Sequence, residues 1–133
     1  MRCKILLVSM LVWLSATCIA QTKTKCLPKA YIFGFAESFN DSTLYITEIQ
    51  EIDSVWVNSK NSFLVNRGEY AYQLRDYLAA KGETHRTCTV VYRTDRKKAE
   101  KKYNKMKAKS LKRLSYNIIY VKESDFRFRA IKP

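Results

Sequence analysis

The chain has 133 residues and a formal net charge of +13 at pH 7, with 25 lysines and arginines against 12 acidic residues. Three glycines and two prolines exclude a collagen-like or low-complexity chain, and 47% hydrophobic residues are enough for one core. We therefore expect a single folded domain whose excess of positive charge favours anionic partners.

The first 20 residues have the three parts of a cleavable secretory signal peptide. Arg2 and Lys4 supply the positive charge, residues 5–14 are apolar except for one serine, and Cys18-Ile19-Ala20 resembles a cleavage site before Gln21. The apolar run is shorter than the roughly 20 residues that cross a membrane, and no later segment is long enough. The sequence thus predicts an exported protein, periplasmic or extracellular, with no transmembrane span in the mature chain.

Lipoprotein processing at Cys18 is a second interpretation of the same segment, because Ser15-Ala16-Thr17 before it resembles a lipobox. That route would leave the chain lipid-anchored at Cys18. Thr17 is larger than the usual residue before the cysteine, and Ser15 stands where leucine is usual. Cleavage before Gln21 is therefore our first choice.

Cleavage before Gln21 divides the chain into a signal peptide (1–20), an N-terminal arm (21–29) and one globular domain (30–133). The loss of Arg2 and Lys4 would lower the formal charge from +13 to +11.

Four cysteines occur in the chain, and cleavage would remove Cys3 and Cys18. Cys26 and Cys88 would remain. An even pair in an oxidising compartment favours one disulfide, so we expect a Cys26–Cys88 bridge. The alternative is two free cysteines, one in the arm and one in a strand.

The first half of the globular region has the alternation of β-strands. Within residues 30–36, Tyr31, Phe33 and Phe35 fall on one face and smaller or aliphatic residues on the other. Turn-forming residues follow at 38–42, and residues 43–52 are a second strand. The two runs predict a β-hairpin.

The second half of the chain alternates between helical and strand patterns. A helix over 69–81 ends at a glycine, a strand follows at 87–92, and a long helix capped by Thr94 or Asp95 runs to about residue 114. Residues 116–121 form another strand, and residues 125–129 alternate like a short edge strand.

The order of elements is β-β-α-β-α-β, with a further strand if residues 125–129 pair with the sheet. This order indicates the α/β class, with α+β as the alternative. We expect a two-layer sandwich with a mixed sheet and with helices mainly on one face.

The long helix carries its positive charge on one flank. With Ala99 at the centre of the buried face, Tyr103, Met106 and Ser110 complete a narrow apolar seam. The flank beside this seam, which we call the lysine stripe, consists of Lys98, Lys101, Lys102, Lys105, Lys109 and Lys112. Residues 93–113 hold eleven basic residues and two acidic ones, whereas residues 30–59 hold five acidic residues and no lysine or arginine.

The lysine stripe works against the stability of its own helix. Lys101 and Lys105, like Lys105 and Lys109, are like-charge neighbours one turn apart, and basic residues crowd the helix start, where the macrodipole prefers anions. This cost favours an anion-binding role over a solvated lysine face, which is the alternative. Anionic polysaccharide, peptidoglycan and phosphorylated glycolipid are the expected partners, and nucleic acid is less favoured.

No motif for catalysis, a metal or a cofactor is present. The single histidine, His85, precedes Cys88 by three residues, which on a strand places their side chains on opposite faces. Four carboxylates of the hairpin region could pair for acid–base chemistry, and they are Glu37, Asp41, Glu48 and Asp53. Phosphate loops and the short hydrolase motifs are absent from the sequence. We therefore expect no cofactor, no metal site and no enzymatic activity.

Three segments resemble one strand–helix–strand half of a SPOR domain, a peptidoglycan-binding module. They are Thr89-Val90-Val91-Tyr92, then Arg96-Lys97-Lys98-Ala99-Glu100, then residues 116–121. The resemblance covers residues 89–121, about a quarter of the chain, and it implies glycan binding. The whole chain resembles the small secreted proteins of anaerobic Gram-negative gut bacteria, which implies export and no particular activity.

The sequence thus predicts an exported, non-catalytic binding module whose lysine stripe contacts an anionic polymer or lipid of the cell envelope. A structural or protein-interaction accessory protein, with an acidic protein partner at the stripe, is the alternative. A small hydrolase would require a pocket that joins the hairpin carboxylates to His85 or Arg86.

Overall fold

The computed structural model describes residues 23–113 and 117–133. The predicted signal peptide, with Cys18 and the cleavage site before Gln21, lies outside the described residues. The elements, in chain order, are β1 (Thr24–Glu37), β2 (Thr43–Thr47), β3 (Gln50–Asn58), α1 (Arg67–Ala80), β4 (Thr87–Arg93), α2 (Arg96–Arg113) and β5 (Asn117–Val121).

The predicted hairpin is present and longer than expected. β1 begins at Thr24 rather than at residue 30, because the segment expected to be an arm pairs antiparallel with β3. Lys25 and Lys29 are exposed there, and Pro28 lies on a stretch of β1 whose pairing is with β3. Proline is tolerated where a strand has an open edge, which explains how a segment that contains Pro28 can still be a strand.

A bulge joins β2 to β3 along one edge of β1. Phe35 of β1 pairs with Ile46, and Ile32 of β1 pairs with Gln50. The three residues 47–49 therefore lie opposite only two residues of β1, 33 and 34. The hydroxyl of the buried Thr47 accepts a hydrogen bond of 2.8 Å from the backbone nitrogen of Gly34 at this point. The bulge therefore leaves no unmet donor at Gly34.

Among the described residues, the sheet has five strands and is mixed. β4 pairs antiparallel with the other edge of β1, and β5 pairs parallel with β2. Together with the two helices of residues 23–113, this is an α+β arrangement, which confirms the predicted mixed sheet and its helix-on-sheet layering. α2 connects β4 to β5 at the opposite edge.

The helices pack against opposite faces of the sheet. Tyr70, Leu74 and Leu78 of α1 join the larger core cluster, whereas Tyr103 and Met106 of α2 pack against a second cluster. The expectation that the helices lie mainly on one face is therefore wrong. The reason is that β1 has apolar residues on both faces, with Ile32 and Ala36 in the first cluster and Phe33 and Phe35 in the second.

The C-terminal segment begins with a turn at residues 123–125 and does not form the predicted edge strand. Phe126 and Phe128 are buried as their alternation suggested. Their backbone groups, however, bond to the side chain of Gln50, which donates to the Phe126 carbonyl and accepts from the Phe128 nitrogen, each at 2.8 Å. Gln73 makes a similar pair of bonds to Arg129. Glutamine amides thus take the place of a neighbouring strand.

The predicted Cys26–Cys88 bridge is not formed among the described residues, in which both cysteines are free. Cys26 lies opposite Trp56 near the start of β1, and Cys88 lies opposite Ala36 near its end. Ten residues of strand between these positions correspond to about 33 Å, whereas a disulfide requires α-carbons about 4.4–6.8 Å apart. An even number of cysteines does not indicate where each one lies in the sheet or whether two of them are close enough to bond.

Candidate anion-binding surface

The rotation of α2 about its axis is fixed by its apolar seam. Asp95 begins the helix by accepting a hydrogen bond of 3.0 Å from the Lys97 nitrogen, which confirms one of the two predicted caps. Ala99 is fully buried, and the Tyr103 ring packs edge-on against Phe33 with centroids 5.3 Å apart. Burial raises the pKa of Tyr103 to about 12. The seam therefore lies where the sequence predicted it.

The lysine stripe faces away from the sheet. Five of its members are exposed, and Lys102 is half-buried. Among the described residues, none of the six forms an ion pair. The stripe is therefore a solvent-facing row of positive charge without a built-in counterion on the described part of the chain.

The other flank of α2 holds the helix's carboxylate. Glu100 lies 3.4 Å from the Arg96 guanidinium, and Lys107 lies over the ring of Tyr120, with 4.7 Å between its ammonium nitrogen and the ring centroid. Helical geometry places Glu100 on the side of the seam away from the stripe. Glu100 therefore neutralises Arg96 and leaves the stripe uncompensated.

A groove opens beside the stripe, between the loop after β3 and the strand β4. Its volume is about 710 Å³, and its walls include Phe63, Arg67, Tyr92, Arg93 and Lys102. We call it the basic groove, because three cations and no carboxylate line it. Lys102 belongs to both the stripe and the groove, so the two form one continuous positive surface.

The loop reaches β4 through long-range contacts. Leu64 bridges to Val57 of β3, and the Tyr92 hydroxyl donates a short hydrogen bond to the Ser62 carbonyl. Arg67, at the start of α1, donates from Nε to the Val90 carbonyl at 3.0 Å. Sequence reasoning missed this groove, since residues 58–66 show only loop chemistry and their partner on β4, Tyr92, is more than 20 residues away.

A second cationic site lies at the far end of the hairpin, and its charge is neutralised. The Arg86 side chain is 3% exposed, and it contacts Asp41 at 2.7 Å and Glu83 at 3.1 Å. It also donates to the Thr43 carbonyl at 3.0 Å and stacks over Tyr45. Burial lowers the pKa of Arg86, but the hydrogen bonds to Glu83 and Asp41 outweigh it and raise the pKa overall.

Three of the four carboxylates suggested for acid–base chemistry have different surroundings. Asp41 binds Arg86, Glu48 accepts a hydrogen bond of 3.4 Å from the Glu123 nitrogen, and Asp53 is exposed on β3. His85 is exposed and has a left-handed backbone, with φ of 62°. The Arg86 guanidinium joins Asp41 to Glu83 in an ion-pair cluster, in which the arginine is buried and the two carboxylates are partly exposed.

Residues 23–113 and 117–133 contain no group of three or more histidine, cysteine, aspartate or glutamate side chains arranged to hold a metal ion. Within the same ranges, neither helix combines the length and the apolar character that crossing a membrane requires.

Comparison of the chain with protein-family models, with curated proteins and with solved structures finds no match. The site must therefore be interpreted from its own geometry.

Proposed function

We propose that the chain is an exported, non-catalytic binding module, and that its lysine stripe contacts an acidic polysaccharide of the cell envelope. Export rests on the signal-peptide pattern of the first 20 residues. Glycan as the polymer is in keeping with the SPOR-like pattern of residues 89–121.

One observation carries the proposal: six lysines share an exposed flank of α2 and have no ion-pair partner among the described residues. The row from Lys98 to Lys112 spans 14 helical residues, or about 21 Å. A linear ligand with repeated negative charges can contact several of these lysines at once. Each contact releases counterions from the polymer, which is the main source of affinity in such complexes.

A linear polymer fits this surface better than a lipid bilayer does. Helices that lie in a membrane interface carry large apolar side chains next to their basic ones. In α2 the seam residues Tyr103 and Met106 pack against the sheet, and the exposed Leu111 falls on the flank opposite the stripe at 100° per residue. The stripe thus offers charge without an apolar face to insert.

The test compares two variants that carry the same change in net charge. The stripe variant changes four exposed lysines to glutamate, namely Lys98, Lys101, Lys105 and Lys109. The control variant changes four exposed lysines elsewhere that form no ion pair among the described residues, namely Lys25, Lys60, Lys122 and Lys132. Heparin, a soluble acidic polysaccharide, is the probe, and calorimetry measures the dissociation constant.

We expect the stripe variant to bind heparin at least about tenfold more weakly than the control variant, with native circular dichroism spectra for both. Equal losses would mean that net charge alone is responsible and would remove the stripe's role. A native chain that does not bind heparin would favour the alternative, an acidic protein partner.

A further inference from the structure

We infer that the basic groove binds one acidic saccharide unit of the polymer that the lysine stripe holds. The inference rests on the proposed function, since it places a specific subsite next to a non-specific charged surface. The argument uses the groove's size, its charges, its exposed ring and its continuity with the stripe.

The groove has the size and the charge of a site for a small anion-bearing ligand. Its volume of about 710 Å³ falls within the range of about 300–1,000 Å³ that is typical of small-molecule sites. Arg67, Arg93 and Lys102 line it together with no acidic residue. Positive charges that converge on a concave surface raise the local concentration of anions.

The two arginines are held in place with part of each guanidinium unused. Arg67 bonds through Nε to the Val90 carbonyl at 3.0 Å, and Arg93 bonds through one terminal nitrogen to the Tyr92 carbonyl at 2.7 Å. Among the described residues, the remaining guanidinium nitrogens make neither a hydrogen bond nor an ion pair. A fixed guanidinium with free donors is suited to a carboxylate, sulfate or phosphate group.

The rest of the wall favours a saccharide over a nucleotide. Phe63 is 71% exposed and supplies one free ring, whereas Tyr92 is half-buried and its hydroxyl is bonded to the Ser62 carbonyl. Single-stranded nucleic acids are held by several rings on which successive bases stack. Asn61 and Thr94 add neutral donors and acceptors of the kind that bind sugar hydroxyls.

Lys102 connects the groove to the stripe. It lines the groove, while Lys98, Lys101 and Lys105 extend from it along the exposed flank of α2. A polysaccharide that lies along the stripe can therefore place one of its acidic units in the groove without leaving the helix surface.

The test uses a groove variant, Phe63→Ala with Arg93→Gln, which leaves the stripe and Arg67 unchanged. A matched control, Phe39→Ala with Arg129→Gln, removes a fully exposed ring and an exposed guanidinium elsewhere. The probes are a heparin-derived tetrasaccharide, the neutral tetrasaccharide maltotetraose, a deoxythymidine tetranucleotide, and inorganic sulfate and phosphate. Binding is measured by calorimetry and by chemical-shift changes.

We expect the unmodified protein to bind the acidic tetrasaccharide and not the neutral one. The groove variant should bind the acidic tetrasaccharide at least about tenfold more weakly, while the matched control changes by no more than about threefold. Long heparin should still bind to the groove variant, since the stripe is intact. Free sulfate or phosphate should compete only weakly with the acidic tetrasaccharide, because neither ion has a sugar ring that can pack on Phe63.

Four results would overturn the inference. Unchanged tetrasaccharide binding by the groove variant would remove the subsite and leave the stripe's function standing. Tighter binding of the tetranucleotide would assign the groove to nucleic acid. Sulfate or phosphate that binds as well as the tetrasaccharide would reduce the groove to a simple anion site. Failure of the unmodified protein to bind any acidic saccharide would overturn both this inference and the proposed function.

Discussion

Arg86 and the lysine stripe show two opposite uses of positive charge in one small domain. Arg86 is 3% exposed and lies between two carboxylates, Asp41 and Glu83, whereas the stripe is exposed and has no ion-pair partner among the described residues. The first arrangement fixes the end of the hairpin. The second leaves its charge available to a ligand.

The two sites contribute to different properties of the protein: Arg86 to the stability of the fold, and the lysine stripe to the binding of anions. A neutralised buried charge stabilises the fold only while its partners are present, because an unpaired buried charge is costly. An uncompensated exposed row costs the helix a little and attracts anions. Changes at Arg86 should therefore alter unfolding, and changes in the stripe should alter binding.

Arg86→Ala should have the largest effect on stability. It leaves two carboxylates and the Thr43 carbonyl without their donor, and we expect a loss of about 2–3 kcal/mol in the free energy of unfolding. The loss is below that of a fully buried pair because Asp41 is 45% exposed and Glu83 is 40% exposed. Urea unfolding monitored by circular dichroism measures it.

Arg75→Ala is the matched control for Arg86. Arg75 contacts Asp76 at 3.1 Å and lies over a tyrosine ring, but its side chain is about half exposed. We expect a loss of no more than about 0.5–1 kcal/mol. Equal losses for Arg75→Ala and Arg86→Ala would contradict the special role of the buried cluster.

Asp41→Asn should have a smaller, pH-dependent effect. The hydrogen bond from the Thr43 nitrogen, followed by the interaction with Arg86, lowers the pKa of Asp41 from its ordinary value of 3.8. Its stabilising effect is therefore complete above the ordinary pKa and is lost as the pH falls through the lowered pKa. The melting-temperature difference between the two proteins should be constant near neutral pH and should disappear in strong acid. A difference that persists there would mean that the carboxylate charge is not responsible.

Lys105→Glu should have the smallest effect on stability, and it should stabilise the protein, whereas the preceding substitutions destabilise it. It converts the like-charge pairs with Lys101 and Lys109 into attractive pairs, so we expect a gain of about 0.5–1 kcal/mol. High salt should reduce the gain. Lys60→Glu, in an exposed turn, should leave stability unchanged. A clear loss of stability with Lys105→Glu would contradict the view that the stripe is costly to the helix.

The parts of the molecule that follow local periodicity were predictable from the sequence. Ala99 and Tyr103 are spaced four residues apart, and this spacing alone indicated the buried seam and therefore the stripe. The alternation of Phe33 and Phe35 indicated the hairpin in the same way. β1 has apolar residues on both faces, and this pattern indicates that each face of the sheet is covered by a helix. The order of elements instead led to the prediction that the helices lie mainly on one face.

The parts that depend on long-range register were not predictable. The basic groove exists because Ser62 and Arg67 contact β4, and no local pattern connects them to that strand. The separation of Cys26 from Cys88 likewise follows from the pairing of β1 with β3 and β4. Gln50 lies in a strand sequence, and nothing near it indicates that its amide binds the chain 76 residues later.

The salt dependence of heparin binding tests the role of the stripe most directly. For the unmodified protein and the Lys25, Lys60, Lys122 and Lys132 control, the logarithm of the binding constant should fall steeply and in parallel with the logarithm of salt concentration. For the stripe variant the slope should be shallower by about 3, since four contacts are lost at roughly 0.7–0.9 each by analogy with nucleic acids. A slope that changes equally in the stripe and control variants would contradict the account.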